Sequence, residues 1–232
     1  MQSVRWIRAA DRHCGSARRR TGTADLPGIE YSTCRPYREE RAISDSKPLT
    51  PVELEILTPV ELETRRWLER AVIGLNLCPF AAAVYAAGQV AFRISVAASA
   101  GAWLEEFRAA ADWLAAADPR RCETLLLVHP LLLGDFLEFN EFCGECEDAL
   151  AGRGLEGVLQ VASFHPHFRF AGTAAADLGN YTNRAPYPTL HLLRERSVER
   201  AVAAAGDPAR IYERNIETMN ELGLAGWRRL WL

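Results

Sequence analysis

ETLLLVH, residues 123–129, is the stretch on which the reading of the fold turns. A run this short and this apolar, bounded by polar residues, reads as a strand buried on both faces. Helical patterns flank it. Residues 103–117 space their apolar side chains as an amphipathic helix, and Gly134-Asp135 opens a second helix that runs through Leu150. Outside those lie two further strand patterns, QVAFRISVA at 89–97 and VLQVASF at 158–164. The order is β-α-β-α-β. Helical crossovers of this length usually join parallel neighbours with right-handed connections. The expectation is an α/β domain with a small, mostly parallel sheet and packed N- and C-terminal helices. At the C-terminal end, Ser197 is placed to cap a helix over 198–205. Asp207-Pro208 opens another that ends at Leu222-Gly223, and residues 227–232 form a short closing piece.

Upstream, LTPVELE occurs twice, at 49–55 and 57–63. Each copy carries Thr, Pro and Glu as a capping box. The second copy leads into Val60, Leu62, Trp67, Leu68, Val72 and Leu75 and is expected to open the first helix, so the domain is drawn as 58–232, with 49–57 a duplicated linker. Residues 1–48 show no sustained period and carry clusters such as Arg18-Arg19-Arg20, and are expected to be a disordered Arg-rich tail.

The chain of 232 residues is 49% hydrophobic and 25% charged, at soluble globular averages. Its net charge of -3 divides into +4 over 1–48 (ten Lys/Arg, six Asp/Glu) and -7 over the rest (seventeen and twenty-four). An acidic body argues against general nucleic-acid binding, which needs a basic surface. No apolar run is long enough to span a bilayer. Six cysteines spread over such a chain do not form a disulfide framework, and a cytoplasmic protein with reduced thiols is expected. Oligomeric state is not written in these features.

Chemistry-bearing residues concentrate between Phe164 and Glu195: FHPHFRFAGTAAADLGNYTNRAPYPTLHLLRE. In a parallel sheet His129 and His165 would end neighbouring strands at the carboxyl edge, where α/β sheets hold ligands. His165 and His167 share a face of an extended segment, and two imidazoles so placed suit a divalent transition metal. His191 or Asp177 would supply a third ligand. Satisfied structural histidines would leave the same letters. Asn180, Asn183 and Arg184, stiffened by Pro186 and Pro188 around Tyr187, suit a carboxylate or phosphate, or else an ordinary turn bonded to its own backbone. Arg194 is expected to line the same pocket or to pair with Glu195 in solvent. The segment from Asn180 to Glu195 is expected to be a loop covering the pocket.

Cys78, at the end of the first helix, is expected to pack rather than react, since the negative end of a helix raises a thiol pKa. Cys143 and Cys146 form a CxxC within a helix, both on its buried face, and a redox role for them is the weakest reading.

Together, NLCPF at 76–80, FHPHF at 164–168, and NYTNRAPYP with HLLRE between Asn180 and Glu195 resemble the bacterial proteins grouped as domain-of-unknown-function family 1415. The resemblance spans roughly residues 60–205 and implies a genuine domain, but brings no activity with it. The functional expectation is an enzyme acting on a small anionic molecule. His165, His167 and His191 would be its acid/base groups, the first two doubling as metal ligands, and Asn180, Asn183, Arg184, Tyr187 and Arg194 would bind substrate. The alternative is a non-catalytic phosphate- or carboxylate-binding module.

Overall fold

The computed structural model describes residues 51–205 and 208–232; the Arg-rich tail lies outside them. Four strands form one sheet: β1 (Val90–Ile94), β2 (Thr124–Val128), β3 (Leu159–Phe164) and β4 (Thr189–Arg194). The helices are α1 (Pro51–Trp67), α2 (Ala81–Ala86), α3 (Ala100–Ala116), α4 (Phe136–Gly152), α5 (Glu195–Ala205) and α6 (Pro208–Arg229).

The strand order is β1-β2-β4-β3. β1 and β2 pair in parallel, whereas β4 is antiparallel to both β2 and β3. The sheet is therefore mixed, not mostly parallel. β2 and β3 do point the same way, but β4 occupies the place between them. The segment expected to be a covering loop instead supplies a central strand. Leu190 and Leu192 face one side of it, and Leu193 stands beside them, all buried. A strand buried on both faces has no polar alternation to give it away.

α3 and α4 both cover one face. Trp103, Phe107, Ala110 and Leu114 of α3 and Phe139, Phe142, Cys143 and Cys146 of α4 pack on Ala91, Leu125, Leu127, Leu159, Leu190 and Leu192. The other face packs Leu126 and Val128 against Val60, Trp67 and Leu68 of the N-terminal helix and against Met219 and Trp227 of α6. α5 follows β4 without a turn and lays Val198 on Ala162 and Leu193.

α1 starts at Pro51 and runs through Pro59, where the capping box would have begun it. Beyond Trp67 the helix loosens into a π stretch, Leu68–Ile73, closed by Gly74 N–H to Glu69 O (2.9 Å). A Cβ on Gly74 would lie 2.4 Å from Arg70 O, so only glycine fits. At the far end Gly223, at φ 63°, kinks α6 where a helix end is expected. Ser197 is not a cap: α5 begins at Glu195, and the Ser197 hydroxyl donates to the carboxylate of Glu123.

Candidate functional site

The carboxyl ends of β2 and β3 carry the same device twice. Each strand ends in His-Pro: His129-Pro130 and His165-Pro166. His129 Nε2 bonds Ala97 O (3.0 Å) and His165 Nε2 bonds Leu133 O (3.0 Å), the carbonyl lying 32 residues upstream in both cases. A carbonyl only accepts, so Nε2 carries the proton in each ring. The Nδ1 atoms then accept backbone N–H groups: Leu131 and Leu132 donate to His129 (3.2 and 3.1 Å), and His167 donates to His165 (3.0 Å). Each ring packs on an aromatic of its crossover helix. His129 meets Trp103 edge-on at 5.0 Å, and His165 stacks on Phe139 at 5.1 Å. Both helices are 17 residues long, capped by Ser99 and Asp135 respectively. These are latches that tie a strand end to the loop entering the helix before it.

Burial pushes the pKa of both rings below its ordinary value, more than the carbonyl bonds raise it. The proposed metal pair is thereby dissolved: His165 spends both nitrogens on the backbone. Among the described residues no group of three His, Cys, Asp or Glu is arranged to hold a metal. His167 is different, because its ring is exposed, 5.8 Å from His165 between centroids.

The Asn/Arg segment turns out to be similarly self-bonded. Asn180 is fully buried; its Oδ1 accepts from Phe170 N and Thr173 Oγ1 (both 2.9 Å), and Nδ2 donates to Ala174 O (2.8 Å). Asn183 sends Nδ2 to Ser163 O (3.3 Å) and accepts the His165 N–H at its own carbonyl (3.2 Å). Both sit in a 3-10 turn, Leu178–Asn183, started by Asp177 and packed against α6. Arg184 lies over the Tyr181 ring at 3.9 Å and donates Nη2 to Ala175 O (2.8 Å) and Nε to Phe168 O (3.5 Å). Tyr187 donates its hydroxyl to Glu63, and burial with that carboxylate raises the phenol to about 12. Arg194 lies elsewhere: its Nη2 bonds the carbonyls of Leu114 (2.6 Å), Ala117 (2.7 Å) and Cys122 (3.2 Å), closing the C-terminal end of α3. None of these three partners is another of the candidate residues.

His191 stands on β4, between Leu126 and Ala162 in register, on the face away from the crossover helices. Its Nε2 meets Thr124 Oγ1 at 2.5 Å, and Thr124 Oγ1 reaches Leu192 O at 2.6 Å. The threonine has one proton, which goes to the carbonyl; Nε2 must therefore carry its own and Nδ1 is left as a lone pair. Burial drives this imidazole down to about 3. Thr124 was invisible as a partner in the sequence, since only the β2–β4 pairing brings it there.

Burial pushes the Cys143 thiol up to about 12 and Cys146 further still, so neither ionises near neutral pH and neither suits thiol redox chemistry. Cys78 is half-buried and also raised by burial. Its position differs from the expectation: it precedes α2, and the Phe80 and Ala81 amides work to lower its pKa without prevailing.

The chain is thus an α/β protein with helices on both faces of a mixed four-stranded sheet and a self-bonded loop at one edge. It belongs to the family described as "Protein of unknown function (DUF1415)", whose model matches residues 59–229. No curated protein and no solved structure matches it. No helix among the described residues is long and apolar enough to cross a membrane.

Proposed function

We propose that the loop after β3 is a non-catalytic recognition element for a small anion carrying phosphate or carboxylate groups. The supporting observation is the state of Arg184. Its guanidinium is held over Tyr181 by two main-chain carbonyls, and Nη1 has no hydrogen-bond partner among the described residues. A guanidinium fixed in this way binds an anion with little further loss of side-chain freedom. Exposed His167 and Arg169 flank Phe168, whose carbonyl holds Arg184. Their side chains sit on a loop that already bonds much of its own backbone through Asn180, Asn183 and Arg184. Catalysis by a His165/His167 pair has less support, because His165 is neutral and bonded at both nitrogens.

Thermal unfolding of the full chain with inorganic phosphate and with succinate tests this. A saturable rise in Tm is expected, lost in His167→Ala/Arg169→Ala, and weakened in Arg184→Lys, which keeps charge but loses the fork. No rise with either anion, or an equal rise in the double variant, overturns the reading.

A further inference from the structure

Gly223 kinks α6, and the piece beyond it, LAGWRRLWL at 224–232, has two unlike sides. The inner side is anchored. Trp227 and Leu230 pack on the cluster that holds Val60, Trp67 and Met219, and Arg70 of the π stretch donates Nη1 to Leu230 O (2.7 Å). Tyr181 meets Trp227 edge-on at 5.3 Å, and Trp227 meets Trp231 in the same way at 5.3 Å. The outer side is apolar and faces solvent. Leu224 and Trp231 are each 40% exposed and Leu232 is 95% exposed; Trp231 is the only exposed tryptophan among the described residues. Backbone bonds from Trp231 N to Arg228 O (3.3 Å) and from Leu232 N to Arg229 O (3.4 Å) continue the turn, so folded backbone presents these side chains. Positive charge borders them. Arg70, Arg228 and Arg229 are exposed and form no ion pair among the described residues. Residues 222–232 include no Asp or Glu. Of the nearest carboxylates in sequence, Glu69 accepts the Tyr85 hydroxyl and Glu221 precedes the kink.

We infer that this face docks on an anionic lipid surface, with Leu224, Trp231 and Leu232 entering the headgroup boundary and Arg70, Arg228 and Arg229 meeting the lipid phosphates and carboxylates. Tryptophan and leucine flanked by arginine are the make-up of segments that lie in that boundary, where an indole keeps its N–H wet and buries its ring. Charge argues against the other occupants. Residues 1–48 carry +4 and would be repelled from the arginines. A symmetric pair of copies would set the same arginines against each other across the two-fold axis. The -7 of the body does not prevent docking, because salt screens charges beyond about 8 Å and only those at the contact act on the lipid. The inference does not rest on the Arg184 loop: a chain that fails the phosphate test can still pass this one.

The test is sedimentation of the full chain with vesicles of phosphatidylcholine alone and of an equal mixture of phosphatidylcholine and phosphatidylserine. Binding to the mixed vesicles only, weakening as salt rises, is expected. Arg228→Ala/Arg229→Ala should weaken it about thirtyfold, the worth of two arginines at an anionic surface, and Trp231→Ala about tenfold through lost apolar contact. Both arginines are exposed, so their variant decides should loss of the Trp227 contact unfold the other. No binding to the mixed vesicles overturns the inference. Binding that the arginine variant keeps in full also overturns it, since residues 1–48 would then be the docking element. A dimer seen by analytical ultracentrifugation and abolished by Trp231→Ala, or poly(U) binding lost in the arginine variant, overturns it where either occurs in place of vesicle binding.

Discussion

The ends of β2 and β3 are built alike and continue differently. At both, a buried histidine donates through Nε2 to the loop entering the preceding crossover helix and accepts backbone N–H at Nδ1. After His129 the chain goes almost directly into α4; after His165 it makes a long self-bonded loop and returns as β4. The residue two places beyond the histidine is exposed at both ends, Leu131 in one and His167 in the other. The shared part is architecture. Any chemistry specific to the second end has to come from what differs, which is His167 and the loop carrying Arg169 and Arg184.

If the latches are equivalent, His129→Ala and His165→Ala should each lower unfolding stability by about 3 kcal/mol in urea, from lost packing and orphaned carbonyl and amide groups. A His165→Ala variant as stable as wild type would break the comparison and reopen a functional role for that ring. Acid probes the same pair together with His191. All three have folded-state pKa values below 6.5, so the unfolded chain takes up protons first. Their contribution is whole above pH 6.5 and declines as pH falls towards the folded values, for His191 as far as about 3. The urea midpoint should therefore drop between pH 6.5 and 5, where carboxylates contribute little, by a shift worth on the order of 2 kcal/mol. A flat midpoint over that range would refute the neutral, bonded state of these rings.

Smaller effects separate the outlying candidates. Arg194→Ala removes three carbonyl contacts at the end of α3 and should cost about 2 kcal/mol by chemical denaturation, with anion-dependent stabilisation untouched. His167→Ala should change stability by less than about 0.5 kcal/mol, because the ring is exposed. Its measurable consequence is weaker anion binding.

The β-α-β-α-β core was legible because its periodicities are local. Residues 103–117 and 134–150 show one apolar stripe each, and the three strand patterns are short apolar runs between them. β4 was not legible. TLHLLR, preceded by two prolines and followed at once by a helix, has neither alternation nor a turn after it, and its strand character depends on β2 and β3 lying on both sides. The candidate residues lie in one segment, and several of them, Asn180, Asn183, Arg184 and His165 among them, bond to the protein's own backbone. Asn, Arg and His are what a ligand site needs and also what a loop needs when it must satisfy its own buried backbone. Sequence does not distinguish these until partners are known. The repeated His-Pro, at 129–130 and 165–166, was the available sign that His165 belonged to the architecture.

The position of β4 also has consequences in time. β2 and β3 leave a synthesising ribosome well before residues 189–194, yet neither pairs with the other; each waits for the strand that fills a gap of about 10 Å between them. Until then both expose unpaired backbone edges, one of them along TLLLV, a short, uncharged apolar run of the kind that self-associates. Such late, non-local pairing is slow. A chain truncated before Thr189 would keep every helix and strand named up to that point and still lack a closed sheet, and aggregation rather than a smaller folded domain is its expected fate.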